Sequence, residues 1–197
     1  MTAHFRRAFA VAAAALLISA GPAVAQTQAD PEEFTAFAIN MGALTGGTGA
    51  TAQLIMRVNR WSTPEERDAM FVTLREKGAM ALLQQLQRAK SVGSLRTPNS
   101  IGYDVRLSME EPSKDGSRRV LLVTDRPVGF LEATYRPPSI DYPFTVIDMQ
   151  IPPSGFGKGT MSIAAKIIPA GKTVLIENYD TQPVQLNRIE TRKLTKK

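Results

Sequence analysis

The sequence contains no cysteine and a single histidine, His4, which lies in an N-terminal segment that is predicted to be removed. Without a thiol or an imidazole, the remaining chain has neither a Ser-His-Asp triad nor a Cys-His dyad for nucleophilic catalysis. It also lacks the side chains that most often hold zinc, haem or copper. We therefore expect no metal and no cofactor, and the composition argues against an enzyme.

The first 25 residues have the pattern of a signal peptide. Arg6 and Arg7 precede a short apolar run, and Ala23-Val24-Ala25 is a typical cleavage sequence. The apolar run is too short to span a bilayer, and no later stretch is apolar enough to do so. The pattern predicts an exported protein, periplasmic or secreted, and leaves open the general and the twin-arginine routes.

Positive charge is concentrated at the C-terminal end of the chain. The net charge is +6, and residues 187–197 hold five basic residues against Glu190 alone. Basic and acidic residues balance between residues 26 and 186, which argues against nucleic-acid binding, since that needs a basic face. The basic tail predicts at most a weak contact with an anionic surface such as lipid headgroups.

Residues 26–186 have the length of one domain, and two helices are expected within it. Thr63-Pro64-Glu65-Glu66 has the pattern of a capping box with proline in the first helical position. Gly78 is expected to end this first helix. A second helix is predicted over residues 79–89, where Leu82, Leu83 and Leu86 share one face.

The rest of the domain has the alternation of an antiparallel sheet. Residues 101–109 alternate between apolar and polar side chains, and residues 120–123 form an apolar run that predicts burial on both faces. About seven strands and two helices are grouped along the chain, which predicts an α+β fold with a mostly antiparallel sheet. The sheet is expected to be a partial barrel or a sandwich, with the helical pair inserted after the first hairpin.

Paired carboxylates are the one catalytic device that this composition still offers. General acid–base hydrolysis needs two carboxyl groups on either side of one bond, in different environments. The candidates are Glu65, Glu66, Glu110, Glu111, Asp125, Asp141 and Asp148. They support an alternative hypothesis, a carboxylate-based hydrolase that acts on cell-wall or extracellular polymer.

Aromatic and arginine side chains near strand ends are the candidates for ligand binding. Such side chains are enriched at recognition surfaces because they combine a large contact area with directional donors. The candidates are Arg60, Trp61, Tyr103, Arg106, Arg126 and Tyr142. Two have an ordinary structural alternative: Trp61 as a core residue, and Arg126 as the partner of a nearby carboxylate.

Four short segments resemble landmarks of a group of exported bacterial proteins of unknown function. They are Arg-Trp-Ser-Thr at 60–63, Glu-Glu-Arg at 65–67, Thr-Asp-Arg-Pro at 124–127 and Asp-Tyr-Pro-Phe-Thr-Val at 141–146. The resemblance covers most of the chain after the predicted signal peptide. It implies export, and it implies no activity, substrate or site residue.

Taken together, these features favour a non-catalytic exported module that binds a small apolar ligand or a protein partner. A bound ligand predicts an enclosed apolar pocket between the sheet and the helices. A protein partner predicts an exposed apolar patch instead.

The export hypothesis predicts that the protein in its own host begins at Gln26, because signal peptidase cleaves after small residues such as Ala25. Intact-mass measurement of the exported fraction should give the mass of residues 26–197. A chain that retains Arg6 and Arg7 would contradict the prediction.

Overall fold

The computed structural model of the chain describes residues 30–40, 50–129, 142–153, 155–170, 173–178 and 182–195. The predicted signal peptide and the last two lysines lie outside these residues. The described part contains one helix, α1 (Pro64–Arg88), and nine strands. The strands are β1 (Glu32–Asn40), β2 (Ala50–Val58), β3 (Gly93–Arg96), β4 (Tyr103–Pro112), β5 (Arg118–Thr124), β6 (Phe144–Ile151), β7 (Gly157–Ala170), β8 (Thr173–Asn178) and β9 (Val184–Lys193).

Eight of the strands form a closed antiparallel barrel. Strands β1 to β7 follow one another round the ring in chain order. The helix α1 lies between β2 and β3 in the sequence, but these two strands are paired with each other. Strand β9 completes the ring by pairing with both β7 and β1. Strand β8 is extra to the ring and pairs with Ala165–Ala170 of β7. The prediction of an α+β partial barrel or sandwich with about seven strands was therefore wrong, because the fold is a closed and mostly β structure.

Irregular pairing provides the curvature that closes the ring. The register shifts between Thr35 and Phe37 on β1, between Phe144 and Val146 on β6, and between Gly157 and Gly159 on β7. Each extra residue in one strand bends it and increases its twist, as barrels require. Because such shifts depend on the partner strand, the alternation of a single strand does not reveal them.

The barrel interior is filled by apolar side chains from every strand of the ring. On β1, for example, Phe34, Ala36 and Ala38 are buried while Phe37 between them is exposed. Trp61, which follows β2, also belongs to this interior core, and its ring meets that of Phe34 edge-on at 6.5 Å between centroids. The interior is a packed core, as expected for a barrel of eight strands.

A second apolar layer lies between α1 and the outer face of β4 to β7. Leu121 and Val123 on β5 face this layer, while Val120 and Leu122 belong to the interior core. The apolar run at residues 120–123 is thus covered on both faces, as its composition predicted. From the helix, the layer contains Met70, Leu74, Leu82 and Leu86.

In place of the predicted helical pair there is one helix, which is kinked at Gly78. Thr63 caps it, since Glu66 N–H donates to the Thr63 hydroxyl and the Glu66 carboxylate accepts from Thr63 N–H. Gly78 does have non-helical angles (φ 81°, ψ −178°), but helical structure continues beyond it to Arg88. Leu82 and Leu86 pack on the same layer as Met70 and Leu74, so burial of the whole apolar stripe outweighs the local cost of the glycine.

The basic tail that the sequence predicts from residue 187 onward lies largely within β9, which extends to Lys193. Arg192 donates to Glu33 on β1 at 2.6 Å, and Lys193 lies 3.5 Å from the Glu32 carboxylate. Two of the tail's cations therefore support the ladder that closes the barrel.

The close contact between β2 and β3 predicts that Gly93→Ala destabilises the protein. A Cβ atom at Gly93 would lie 2.0 Å from the backbone oxygen of Arg57, so the strands would have to separate. We expect the free energy of unfolding to fall by about 1–3 kcal/mol or more, measured by urea denaturation. Ser94→Ala, in the same strand, is the control and should change stability much less; equal effects would contradict this account.

Candidate functional site

A cavity of about 110 Å³ lies at one end of the barrel interior. We call this end of the barrel the mouth, and the cavity the mouth cavity. Its floor consists of apolar side chains that belong to the interior core: Leu54, Leu95, Val128 and Met161. Its wall and rim are formed by the turn between β3 and β4 and by the segment after β5: Arg96, Thr97, Ser100, Tyr103 and Gly129. The cavity therefore has an apolar floor and a partly polar rim.

A tight turn holds one wall of the mouth in place. Thr97 N–H donates to the Ser100 hydroxyl at 3.0 Å, and Ser100 N–H donates to the Thr97 carbonyl at 3.2 Å. Gly102 closes the turn with φ +93°, and a Cβ atom there would lie 2.7 Å from the Leu95 oxygen. Only glycine satisfies both conditions without strain, so the local sequence fixes this wall.

Two polar side chains at the rim keep hydrogen-bonding capacity. Gly129 N–H donates to the Tyr103 hydroxyl at 2.9 Å, which leaves the phenolic proton available to a ligand. Arg96 has one long hydrogen bond, 3.4 Å from Nη1 to the Pro98 carbonyl. Within the described ranges no carboxylate pairs with Arg96, whose guanidinium therefore has spare donors.

Of the six candidate binding residues from the sequence, Tyr103 alone lines the mouth cavity. Arg60 forms two hydrogen bonds with the Glu66 carboxylate, at 2.8 and 2.9 Å, next to the helix cap. Trp61 is only 5% exposed, and its indole N–H donates to the Asp30 carbonyl. These two residues attach the start of α1 and the chain before β1 to the barrel.

The other three candidates lie on the outside of the barrel. Arg106 contacts both Asp104 and Asp125 and donates to the carbonyl of Ala89, which ends the helix. Arg126 is exposed and pairs with the second oxygen of Asp125. The Tyr142 hydroxyl donates to Glu177 on β8.

Sequence reasoning missed Arg96 and the apolar floor of the mouth. The floor residues come from strands distant in sequence, so no local pattern joins them. The one available signal was an arginine at the end of a short strand, directly before a turn that contains proline, asparagine and serine.

Most of the carboxylates that suggested a hydrolase are paired with arginines. Arg118 Nη1 donates to Glu32 at 2.8 Å and to Glu110 at 2.9 Å, and it reaches Glu32 across the barrel interior. Arg119 similarly bridges Glu111 and Asp148. Each carboxylate pair therefore holds a cation rather than the space that a scissile bond needs. Asp141 lies outside the described residues.

The described residues contain no cluster of three acidic side chains or other common ligands that could hold a metal ion. In the same part of the chain, no helix has both the length and the apolarity needed to cross a membrane. Little space remains between α1 and the sheet, where two cavities measure about 10 and 20 Å³. The mouth cavity, at about 110 Å³, is larger than either and has the most room of the three for a bound group.

The hydrogen bond from Arg60 predicts a pH dependence of stability. It lowers the pKa of Glu66 below the ordinary value of 4.5. A carboxyl group with a lower pKa in the folded state adds stability above its unfolded pKa, and this stability is lost as pH falls through the folded pKa. Glu66→Gln should therefore cost about 1 kcal/mol at neutral pH and lose less stability than the wild type on further acidification.

Urea denaturation from about pH 6 to about pH 3 measures this difference. Glu76→Gln, on an exposed position of the same helix, is the matched control and should follow the wild-type curve. A Glu66→Gln curve parallel to wild type would show that the pair with Arg60 does not contribute.

No protein-family model matches the chain, and no curated protein and no solved structure is significantly similar to it. Inference about function therefore rests on the chain's own geometry. In that geometry, the mouth joins an apolar floor to hydrogen-bond donors within one concave surface.

Proposed function

We propose that the protein is an exported, non-catalytic barrel that binds a small, largely apolar ligand at its mouth. The observation that carries this proposal is the cavity of about 110 Å³ with an apolar floor and a polar rim. Ligand sites commonly combine predominantly apolar walls with a few polar groups that fix orientation. Export is supported by the N-terminal pattern of Arg6 and Arg7, an apolar run and Ala23-Val24-Ala25.

The size of the cavity limits how much of a ligand it takes. An apolar cavity of about 150 Å³ accepts benzene. Pockets that enclose whole drug-sized ligands measure roughly 300–1,000 Å³. The mouth therefore suits the apolar end of a ligand, a few carbon atoms long, while the remainder extends past the rim.

The rim favours a ligand with a hydrogen-bond acceptor or a negative charge at the end that faces solvent. Arg96 has guanidinium donors to spare, and the Tyr103 hydroxyl has a proton to donate. Both flank the cavity, so one acceptor group can approach them while carbon atoms occupy the floor. A short-chain carboxylate has this chemistry.

The alternative functions receive less support from the geometry. A hydrolase needs a carboxyl group free to carry a proton, whereas Glu32, Glu110, Glu111 and Asp148 are engaged with Arg118 or Arg119. A protein partner remains the other form of the non-catalytic hypothesis, and it requires a different surface from the mouth.

The first test is native mass spectrometry of the protein purified from its own host. A bound ligand should appear as an added mass that disappears on denaturation. The second test is a titration with hexanoate, followed by the methyl resonance of Met161 on the cavity floor. We expect this resonance to shift saturably, and Arg96→Gln should weaken hexanoate binding about tenfold through loss of a charge-assisted hydrogen bond.

Hexanol is the neutral control probe, and its binding should be nearly unchanged by Arg96→Gln. Val128→Phe should fill the cavity and abolish binding of both probes. Val123→Phe, the same substitution in the layer under α1, is the matched control for overpacking and should preserve binding in folded protein. An unshifted Met161 resonance together with a clean protein mass would overturn the proposal.

A further inference from the structure

A second surface combines exposed aromatic rings with basic side chains, and its residues line neither the mouth cavity nor the layer under α1. We call it the basic–aromatic face; it consists of Phe37, Phe156, Lys158 and Arg188. Phe37 on β1 and Phe156 before β7 are 48% and 50% exposed. Lys158 and Arg188 are also exposed.

Strand pairing places these residues side by side on the outer face of the barrel. Phe37 is opposite Asn187 on β9, and β9 is paired with β7 on its other edge. Gly157 is opposite Ile189 and Gly159 is opposite Leu186, so β9 has one more residue than β7 in this stretch and forms a bulge. Arg188 lies in this bulge, and Lys158 lies against it on β7. The Arg188 guanidinium lies over the Phe156 ring at 4.6 Å from its centroid.

The backbone at Arg188 is unusual for an arginine. Its φ of +49° makes it the one non-glycine residue with positive φ among those the structure describes. Such a conformation costs about 1–3 kcal/mol in a residue that bears a Cβ atom, and glycine or asparagine would avoid most of it. The backbone conformation therefore does not explain why this residue is arginine, and we look for the explanation in what its side chain contacts.

The cations of this face are not neutralised by the barrel itself. Most arginines in the described ranges that lie near carboxylates form ion pairs, as Arg60, Arg106, Arg118, Arg119 and Arg192 do. Arg188 and Lys158 form none with described residues. Among the nearby carboxylates, Asp148 pairs with Arg119, and Glu33 pairs with Arg192. Glu190, which is exposed, is the remaining negative charge near this face.

We propose that the basic–aromatic face docks on an anionic phospholipid surface. Phe156 lies directly after the turn at Pro152 and Pro153, where its ring can enter the headgroup region, and Phe lacks any polar group that would favour water. Arg188 and Lys158 beside it would meet lipid phosphates. A lipid surface fits better than an acidic peptide, because these side chains lie together on the convex outer side of the barrel, where an extended planar surface can contact all of them.

Sedimentation with vesicles of phosphatidylcholine and phosphatidylglycerol tests this proposal, with the protein as purified from its own host. Binding should require phosphatidylglycerol and should weaken as salt rises. Reversal of the two charges in Lys158→Glu/Arg188→Glu should reduce binding about tenfold or more. Phe156→Ser should reduce it as well, without a change in net charge.

The matched control is Arg75→Glu/Lys77→Glu, which changes net charge equally on exposed positions of α1. Arg188→Gly is a second variant. It relieves the positive φ and should keep the fold, shown by an unchanged circular dichroism spectrum, while weakening vesicle binding.

Equal losses of vesicle binding in the face variant and in the helix variant would show that net charge alone causes the effect, and they would overturn the proposal. Absence of binding to anionic vesicles, or capture of an acidic peptide in their place, would overturn it too. Hexanoate binding at the mouth is a separate measurement that none of these variants should alter.

Discussion

The ladder between β9 and β1 is the constraint on which the rest of this structure depends. It joins residues about 160 positions apart in the chain, such as Glu33 and Arg192, and thereby closes the ring. Every strand of the ring has a neighbour on both sides, so the interior must be filled by side chains and most of the polar backbone of the ring is satisfied between neighbours. Recognition is then left to the two ends of the barrel and to its outer surface.

Closure also determines how the charged side chains are used. Arg118 on β5 reaches Glu32 on β1, a strand four positions away in a ring of eight, and Glu32 is only 1% exposed. A buried carboxylate without such a partner would be strongly unfavourable. Arg106 and Arg119 likewise join two carboxylates each on the outer face. Most of the charged residues that suggest chemistry in the sequence therefore stabilise the barrel.

Each of the two proposed sites contains an arginine that pairs with no described carboxylate. Arg96 at the mouth and Arg188 on the basic–aromatic face are not engaged by described carboxylates, and each lies beside apolar surface. At the mouth that surface is concave and small, which suits a single apolar chain. On the outer face it is convex and exposed, which suits an extended anionic surface. Both sites combine a cation with apolar surface, and they differ in the shape of that surface. The two proposals are independent of each other.

The sequence by itself determined the local features of this protein. The absence of cysteine excludes thiol chemistry, and the Thr63 cap is visible because all its atoms lie within four residues. The doubly buried run of β5 follows equally from neighbouring residues. The alternation predicted for residues 101–109 was wrong on β4, because the register shifts after Val105: Val105 faces the interior core, whereas Leu107 and Met109 face the layer under α1. The tertiary structure decided the rest: closure of the barrel, continuation of α1 past Gly78, and the mouth, whose floor draws Leu54, Leu95 and Met161 from three strands. Each of these depends on contacts between distant segments, whose free energy outweighs local preference and leaves no periodic trace in the chain.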